Sequence, residues 1–341
     1  MTAGGLRHPA FRVVKEGATI SLGEYAEDIP WPPSSFSGTA RVERVAAEFE
    51  QGATIVLQAL QNQHERLAEF CRELERELGH PAQANAYYTP ASAQGFKVHH
   101  DTHDVMCLQV EGEKRWLVYA PVLELPLKHQ KYTAELGDPG EPLMDVTMRA
   151  GDTLYLPRGW LHQAMTSDSP SLHLTVGINV ATWRDAVREA LDELADDDVA
   201  FRRGVDGDAV APDGLLEALA ERLVPEAVAR RRQRSFVDGR RPIRVDAFDQ
   251  LRALEELDVD TPLIRRETVI AEFEVADGSA QLSFEGHVLH FPVRIAPEIE
   301  FLLQADGSFT AGDLPGRLDD DSRLVLVRRL VREGLLRVRL D

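Results

Sequence analysis

A series of short β-rich runs between residues 84 and 180 is the feature that most constrains the fold. The runs cover residues 85–89, 95–99, 105–110, 115–119, 153–156 and 171–179. Glycine, proline and aspartate separate them, for example at residues 111–112, 151–152 and 157–159. Many short strands with regular turns are typical of a β-sandwich or a small barrel. We therefore predict a β-barrel core in this part of the chain.

Helical patterns flank this core. Residues 64–78 carry apolar side chains at helical spacing, and Gly79, His80 and Pro81 end that pattern. Residues 183–229 are helical again. The segment 262–341 reads as strands at 267–274 and 280–284, helices at 296–303, from 311 and at 320–333, and a last strand at 334–338, which resembles a winged helix.

These patterns predict an α+β protein with three regions. They are a β-barrel with its preceding elements (1–182), a helical region (183–255) and a winged-helix-like domain (256–341). A length of 341 residues suits more than one domain. Hydrophobic residues make up 43% and charged residues 28%, which is typical of a globular protein rather than a disordered one.

Charge and cysteine content indicate which partners and which cellular compartment to expect. The net charge is −19, which repels nucleic-acid phosphates and attracts basic partners, although acidity can also serve solubility alone. Cys71 and Cys107 are the only cysteines, so we expect no disulfide framework. No apolar run approaches the roughly 20 residues of a membrane span, and residues 1–15 lack the apolar stretch of a signal peptide. We expect a cytoplasmic protein.

The chemically informative residues begin at His99 and Asp101. Side chains at positions i and i+2 of a strand point to the same face, so these two can reach one point if residues 95–99 are extended. A distant histidine would complete the two-histidine, one-carboxylate set of non-haem Fe(II) oxygenases. The best candidate is His162, which follows a Gly-Asp turn, a short strand and a Pro-Arg-Gly turn. The alternative is that these are ordinary polar residues.

The motifs around these ligands resemble the JmjC-type ribosomal oxygenases, which are ribosomal protein hydroxylases. The residues that carry the resemblance are 85–90, 94–96, 99–101, 108–116 and 151–163. The close similarity covers about residues 85–175, and a looser similarity extends over most of the chain. It implies a double-stranded β-helix (jelly-roll, cupin or JmjC barrel), Fe(II) and 2-oxoglutarate as cofactors, and His99, Asp101 and His162 as iron ligands.

The resemblance also suggests roles for other residues. Lys114 matches the base that pairs with the distal carboxylate of 2-oxoglutarate, although a surface lysine on a strand is the alternative. Asn85 and, more weakly, Thr175 match cosubstrate contacts, and Tyr87 matches a substrate contact. All three could equally be satisfied polar groups of the core. Two further histidines, His100 and His103, either contact substrate or lie on the surface. Val98 replaces a proline that is common in the family.

The implied reaction is a 2-oxoglutarate-dependent hydroxylation of an arginine or histidine side chain in a basic, ribosomal protein. The resemblance further implies a homodimer, formed through about residues 183–252. Acidity argues against direct nucleic-acid binding despite the arginines of the last segment. Two alternatives stay open: a small-molecule hydroxylase of specialised metabolism, and a non-catalytic metal-binding cupin regulator.

Overall fold

The computed structural model describes residues 7–32, 34–204, 214–240, 242, 246–276 and 278–340. Its strands are β1 (Phe11–Lys15), β2 (Ala18–Thr19), β3 (Ala26–Trp31), β4 (Ser34–Ala40), β5 (Thr54–Leu57), β6 (Ala82–Thr89), β7 (Asp104–Glu111), β8 (Glu113–Tyr119), β9 (Met144–Arg149), β10 (Thr153–Leu156), β11 (Leu161–Thr166), β12 (Ser171–Ile178), β13 (Leu263–Arg265), β14 (Ala271–Ala276), β15 (Ser279–Phe284), β16 (His287–Pro292), β17 (Ser308–Phe309) and β18 (Leu336–Val338). Its helices are α1 (Leu22–Tyr25), α2 (Val42–Glu50), α3 (Glu65–Leu78), α4 (Trp183–Asp197), α5 (Leu215–Arg222), α6 (Pro225–Asp238), α7 (Ala247–Ala253), α8 (Ala296–Gln304) and α9 (Asp320–Glu333).

The chain divides into two compact units. One comprises Met1–Glu75 with Pro81–Val180, and the other Arg76–His80 with Ala181–Asp341. The α+β class is therefore confirmed, with the predicted barrel region in the first unit. Among the described residues, no helix is both long and apolar enough to cross a membrane.

Two antiparallel sheets form the barrel of the first unit. The larger has seven strands in the order β10-β7-β12-β6-β5-β1-β2, and the smaller has three in the order β11-β8-β9. Apolar side chains from both sheets share one core, in which Cys107 of β7 packs with Trp116 of β8 and Met148 of β9. Alternation of buried and exposed residues along β7 and β8 supplies these inward faces. The sheets thus enclose a space between them.

The strand predicted at residues 95–99 is wrong as a regular strand. Only isolated bridges join this segment to β11, at Gln94 with Met165 and at His99 with His162. The carbonyl of Phe96 accepts a hydrogen bond from the side chain of Gln94, and the carbonyl of Lys97 contacts the ring of His99. The carbonyls of Phe96 and Lys97 therefore contact side chains instead of pairing with the backbone of a neighbouring strand.

The second unit has its own apolar core. Asp319 caps the start of helix α9 with a carboxylate that accepts from the Ser322 amide, and Gly334, with a positive φ of 91°, caps its end. Its inward face packs with the sheet β17-β13-β18, including Leu263 and Leu336. Hydrophobic spacing predicts α8 and α9 closely, but it misses β16, which completes the meander β14-β15-β16.

The helix predicted to begin at residue 311 is wrong. A single 3₁₀ turn, Ala311–Asp313, replaces it. Thr310 and Asp313 cap this turn reciprocally, and Leu314 is extended because a proline follows it. The strand expected at residues 267–274 begins four residues later and ends two residues later, as β14 (Ala271–Ala276).

Candidate active site

A cavity of about 460 Å³ opens between the two sheets of the first unit. Its lining comes from β1, β5, β6, β7, β8, β11 and β12, from residues 95–102 and from the loop at residues 128–132. This volume lies within the usual range for small-molecule sites. The barrel therefore supplies most of the walls, and two irregular segments complete the site.

The three predicted metal ligands meet in this cavity. The ligand atoms of His99, Asp101 and His162 all lie within 4.8 Å of one another. The Nε2 atom of His162 is 3.6 Å from Oδ2 of Asp101, and the two imidazole centroids are 4.4 Å apart. Adjacent ligands of an octahedral ion with bonds of about 2.1 Å lie about 3 Å apart. The three side chains would therefore bind a metal ion if their ligand atoms moved slightly closer together.

Backbone pairing places the two histidines side by side. The amide of His99 donates to the carbonyl of His162 at 3.1 Å, and the amide of His162 donates to the carbonyl of His99 at 2.8 Å. Each ring also has Nδ1 at hydrogen-bond distance from the carbonyl two residues earlier, Lys97 O for His99 and Trp160 O for His162. Such bonds fix the ring with Nε2 directed away from the backbone, as metal-bound histidines require.

The protonation state of His162 also suits a metal. Burial, and next the neighbouring His99, lower the pKa of His162 to about 4. The imidazole is therefore neutral near pH 7, and a neutral imidazole offers its lone pair to a metal ion. Two imidazoles and one carboxylate, with other positions left open, are the donor set of non-haem Fe(II) sites. The residues present thus fit Fe(II).

Lys114 lies at another part of the same cavity and is 4% exposed. Its Nζ donates to Oγ1 of Thr89 at 2.9 Å, and Thr89 also accepts from Thr54 Oγ1 at 3.0 Å. No carboxylate pairs with Lys114 among the described residues, and burial lowers the pKa of Lys114 to about 7. A buried lysine without an anionic partner is costly unless a ligand supplies the negative charge. This end of the cavity therefore fits a carboxylate of a dicarboxylic acid.

Other cavity residues escaped the sequence reasoning. Thr54 and Thr89 hold Lys114, but nothing in their local pattern distinguishes them from other strand threonines. His173 is buried, stacks on Tyr87 with centroids 4.9 Å apart, and meets Trp116 edge to face. Burial keeps the pKa of His173 well below its usual value, so this ring is neutral. The spacing of His173 and Thr175 on one strand was the sequence pattern that could have placed His173 in the cavity, because Thr175 was already a candidate site residue.

The predicted cosubstrate and substrate residues separate into two groups. Tyr87 and Thr175 line the cavity, and their side chains are hydrogen-bonded to each other. Asn85 is not among the lining residues, because its Oδ1 accepts from the amide of Ala59, which has a positive φ of 53°. Asn85 therefore supports a turn before α3, and its cosubstrate role stays a prediction without a contact to support it.

The two extra histidines also differ. His100 is buried in the lining, and its Nε2 lies 2.9 Å from the carbonyl of Gln130. His103 is outside the lining and packs against Gly177, where an added Cβ would lie 3.0 Å from its ring. The structure thus brings His100, but not His103, to the cavity wall.

Known proteins resemble this chain in both sequence and fold. Residues 56–186 match the JmjC domain family. A "Bifunctional lysine-specific demethylase and histidyl-hydroxylase NO66" of Dictyostelium discoideum is 28% identical, with 88% of this chain and 67% of that protein covered. The protein of that name from Drosophila persimilis is 39% identical over 41% of this chain and 20% of its own length. Chicken (Gallus gallus) "Ribosomal oxygenase 1" is 34% identical, with coverages of 59% and 35%. The chain thus spans less than two thirds of the fly and chicken relatives.

Solved structures agree on the fold. The Escherichia coli ribosomal oxygenase YcfD matches with a TM-score of 0.58 at 19% identity, covering 96% of this chain and 86% of that one. YcfD in complex with cobalt and 2-oxoglutarate matches with a TM-score of 0.54 at 21% identity, covering 83% and 78%. These matches confirm a JmjC (cupin) fold. The chain thus carries a segment that matches the JmjC domain family, and its sequence is similar to proteins named ribosomal oxygenases and histidyl-hydroxylases.

Proposed function

We propose that this chain is an Fe(II)- and 2-oxoglutarate-dependent dioxygenase that hydroxylates a side chain of a protein. The observation that carries the proposal is that one cavity holds both a two-histidine, one-carboxylate cluster and a buried lysine that has no anionic partner among the residues described. A metal site alone would suit many cupins. A cavity that also offers a buried cation suits a dicarboxylate that chelates the metal.

Different residues of the cavity would bind the metal ion and the cosubstrate. His99, Asp101 and His162 would hold Fe(II), and Lys114 would pair with the distal carboxylate of 2-oxoglutarate. When bound, iron and 2-oxoglutarate supply the oxidising chemistry, in which the cosubstrate loses CO₂ and becomes succinate. The chain orients the two imidazoles through Lys97 O and Trp160 O, and burial keeps the imidazole of His162 neutral.

A ribosomal protein is the substrate that we propose. The relatives' names include ribosomal oxygenase and histidyl-hydroxylase, and YcfD is likewise named a ribosomal oxygenase. Arginine and histidine are the two target residues that the sequence resemblance allows. A net charge of −19 draws basic proteins at long range, and we expect no direct binding of nucleic acid.

We also propose a homodimer formed through the helical region, residues 183–255. The three most exposed large hydrophobic side chains in the described part of the chain are Phe248 (85%), Leu216 (72%) and Trp183 (71%), and all lie there. Exposed apolar residues of this size mark association surfaces when they cluster.

The arrangement of α8, α9 and β18 supports the winged-helix-like assignment for residues 256–341. The two cysteines are buried and free, as expected in the cytoplasm.

Turnover of 2-oxoglutarate tests the proposed activity. Purified full-length protein with Fe(II), O₂, 2-oxoglutarate and a pool of ribosomal proteins should release succinate, and the His99→Ala variant should not. Mass spectrometry should find a gain of 16 Da in one ribosomal protein. Succinate release without any modified protein would favour a small-molecule hydroxylase, and no release from the intact site would favour a metal-binding regulator.

A further inference from the structure

Lysine is rare in this chain and is concentrated at one place. The sequence has five lysines, and four of them line the barrel cavity: Lys97, Lys114, Lys128 and Lys131. The lining also contains Arg12, whereas Asp101 is its only acidic residue. Acidic residues that lie near the lining segments in sequence, namely Glu16, Glu124 and Glu135, are outside it. The cavity is therefore cationic in a protein whose net charge is −19.

Three of these lysines lie where the cavity meets solvent. Lys97, Lys128 and Lys131 are exposed although they belong to the lining, whereas Lys114 is buried at the inner end. None of these three entrance lysines forms an ion pair within the part of the chain that the structure describes. An ammonium group that stays hydrated also avoids the cost of burying a charge. The positive charge of the entrance lysines is therefore available to an anion that approaches the cavity.

Two contacts hold the entrance lysines beside the metal cluster. Gln130 lies between the two lysines of the β8–β9 loop, and its carbonyl is 2.9 Å from Nε2 of the buried His100, which is a neighbour of two metal ligands in sequence. On another side, Lys97 packs against Gly17, where an added Cβ would lie 3.1 Å from Cγ of the lysine. The segments that carry the entrance lysines are thus fixed to the walls of the cavity.

We propose that the entrance lysines capture 2-oxoglutarate from solution and steer it into the cavity, where Lys114 then binds it. This inference rests on the proposed function. 2-Oxoglutarate is a dianion near pH 7, and a protein with a net charge of −19 repels dianions over most of its surface. A group of cations at the mouth of a cleft reverses this repulsion locally and raises the rate of productive encounters.

Buried and exposed lysines would then act on different steps of binding. Lys114 is buried and would contact the carboxylate directly, so its loss should mainly speed dissociation. The entrance lysines act through water while the ligand approaches, so their loss should mainly lower the association rate constant and its dependence on salt. Capture and retention are therefore separable by measurement.

The rate of 2-oxoglutarate binding tests the inference. Full-length protein loaded with Co(II) is mixed with 2-oxoglutarate in a stopped-flow instrument, and binding is followed by absorbance. We expect Lys128→Glu, Lys131→Glu to lower the association rate constant about tenfold at an ionic strength of about 10 mM, where the Debye length is about 30 Å. At about 1 M salt, where that length is about 3 Å, the difference should shrink to less than about twofold.

A graded variant checks that charge is responsible. Lys128→Gln, Lys131→Gln removes half as much charge, so it should lower the association rate constant by about threefold at low salt. The dissociation rate constant should stay within about twofold in both double variants, because neither lysine would contact the bound ligand. Both side chains are exposed, so thermal unfolding should confirm that each variant remains folded.

The control places the same change of charge elsewhere. Arg337→Glu, Arg339→Glu alters two exposed residues outside the cavity lining, and the association rate constant should change less than about twofold. An equal fall in this control, an unchanged association rate in Lys128→Glu, Lys131→Glu, or an effect confined to dissociation would overturn the inference and leave the proposed function standing. If 2-oxoglutarate does not bind the original protein at all, the proposed function fails, and the inference fails with it.

Discussion

The two ends of the barrel cavity are built in different ways. At the metal end, each histidine is oriented by a carbonyl only two residues earlier in the chain. At the other end, Lys114 of β8 depends on Thr89 of β6, and Thr89 depends on Thr54 of β5. The first device is local, whereas the second needs three strands from distant parts of the sequence to meet.

The two ends of the cavity also differ in how burial affects the protonation state that each needs. Burial favours the neutral imidazole at the metal end, which is the form that binds a metal ion. At the lysine end, burial opposes the charged form that would bind a carboxylate. The protein thus stabilises the functional state of His162 in advance, whereas the functional state of Lys114 is reached only with help from the ligand.

Removal of a metal ligand should have the largest effect. Asp101→Ala leaves two imidazoles and no anionic ligand, so we expect 2-oxoglutarate turnover to fall by about 1000-fold or more, since even partners outside the ligand set cost about 10–100-fold. Cobalt binding, followed by absorbance, should weaken in parallel. His103→Ala is the matched control, because His103 lies outside the cavity lining. Equal losses in both variants would contradict the assignment of the triad.

Removal of the charge at the other end should come next. We expect Lys114→Met to weaken binding of 2-oxoglutarate by about 100-fold, because a charge-assisted bond is lost. The free energy of unfolding of the cosubstrate-free protein should rise by about 2 kcal/mol, because an uncompensated buried cation is replaced by an apolar chain. Titration calorimetry and thermal unfolding measure the two effects.

Lys97→Met is the matched control for this experiment. Lys97 lines the same cavity but is exposed. Its replacement should leave both the affinity for 2-oxoglutarate and the stability almost unchanged, within about threefold and about 0.5 kcal/mol. If Lys97→Met weakened cosubstrate binding as strongly as Lys114→Met, Lys114 would have no special role.

The third effect is the pH dependence of cosubstrate binding. The pKa of Lys114 is about 7 in the cosubstrate-free protein, and the charged form is the one that binds a carboxylate. Affinity should therefore be constant below pH 7 and fall by up to about tenfold per pH unit above it. Lys114→Arg keeps its charge and should abolish this slope. A flat profile in the original protein would show that the lysine is already charged before binding.

The same shift also affects folding. The pKa of Lys114 is lowered from 10.5, so between pH 7 and about 10.5 the unfolded chain binds more protons at this group than the folded chain. Its contribution to stability therefore rises with pH in that window, and it is least favourable below pH 7. Cosubstrate should reverse this trend, since a bound carboxylate raises the pKa of the ammonium group.

Sequence reasoning succeeds where interactions are local. The spacing of His99 and Asp101, and the turn before His162, are visible in the sequence because neighbouring residues set these positions. The segment predicted as a regular strand there is irregular, since side chains compete for its carbonyls. The same limit explains the missed 3₁₀ turn at Ala311–Asp313, where capping and a proline override helical spacing.

Sequence reasoning fails where the fold brings distant residues together. Thr54 and Thr89 are 35 residues apart, and nothing in either pattern shows that they meet beneath Lys114. The concentration of lysines is equally hidden, because Lys97, Lys114 and Lys131 reach the cavity from three different segments. Net charge alone predicts an acidic protein that attracts cations, whereas the cavity has the opposite sign.

The smallest effects should distinguish the threonines at the two ends. Thr89→Val removes the acceptor for Nζ of Lys114, so we expect affinity for 2-oxoglutarate to fall about fivefold. Thr175→Val removes a hydroxyl that is bonded to Tyr87, so its effect should appear in the KM for the protein substrate, while cosubstrate affinity changes less than about twofold. The reverse result would place the cosubstrate against β12 beside Thr175, because only a direct contact with 2-oxoglutarate would make that hydroxyl matter more than the partner of Lys114.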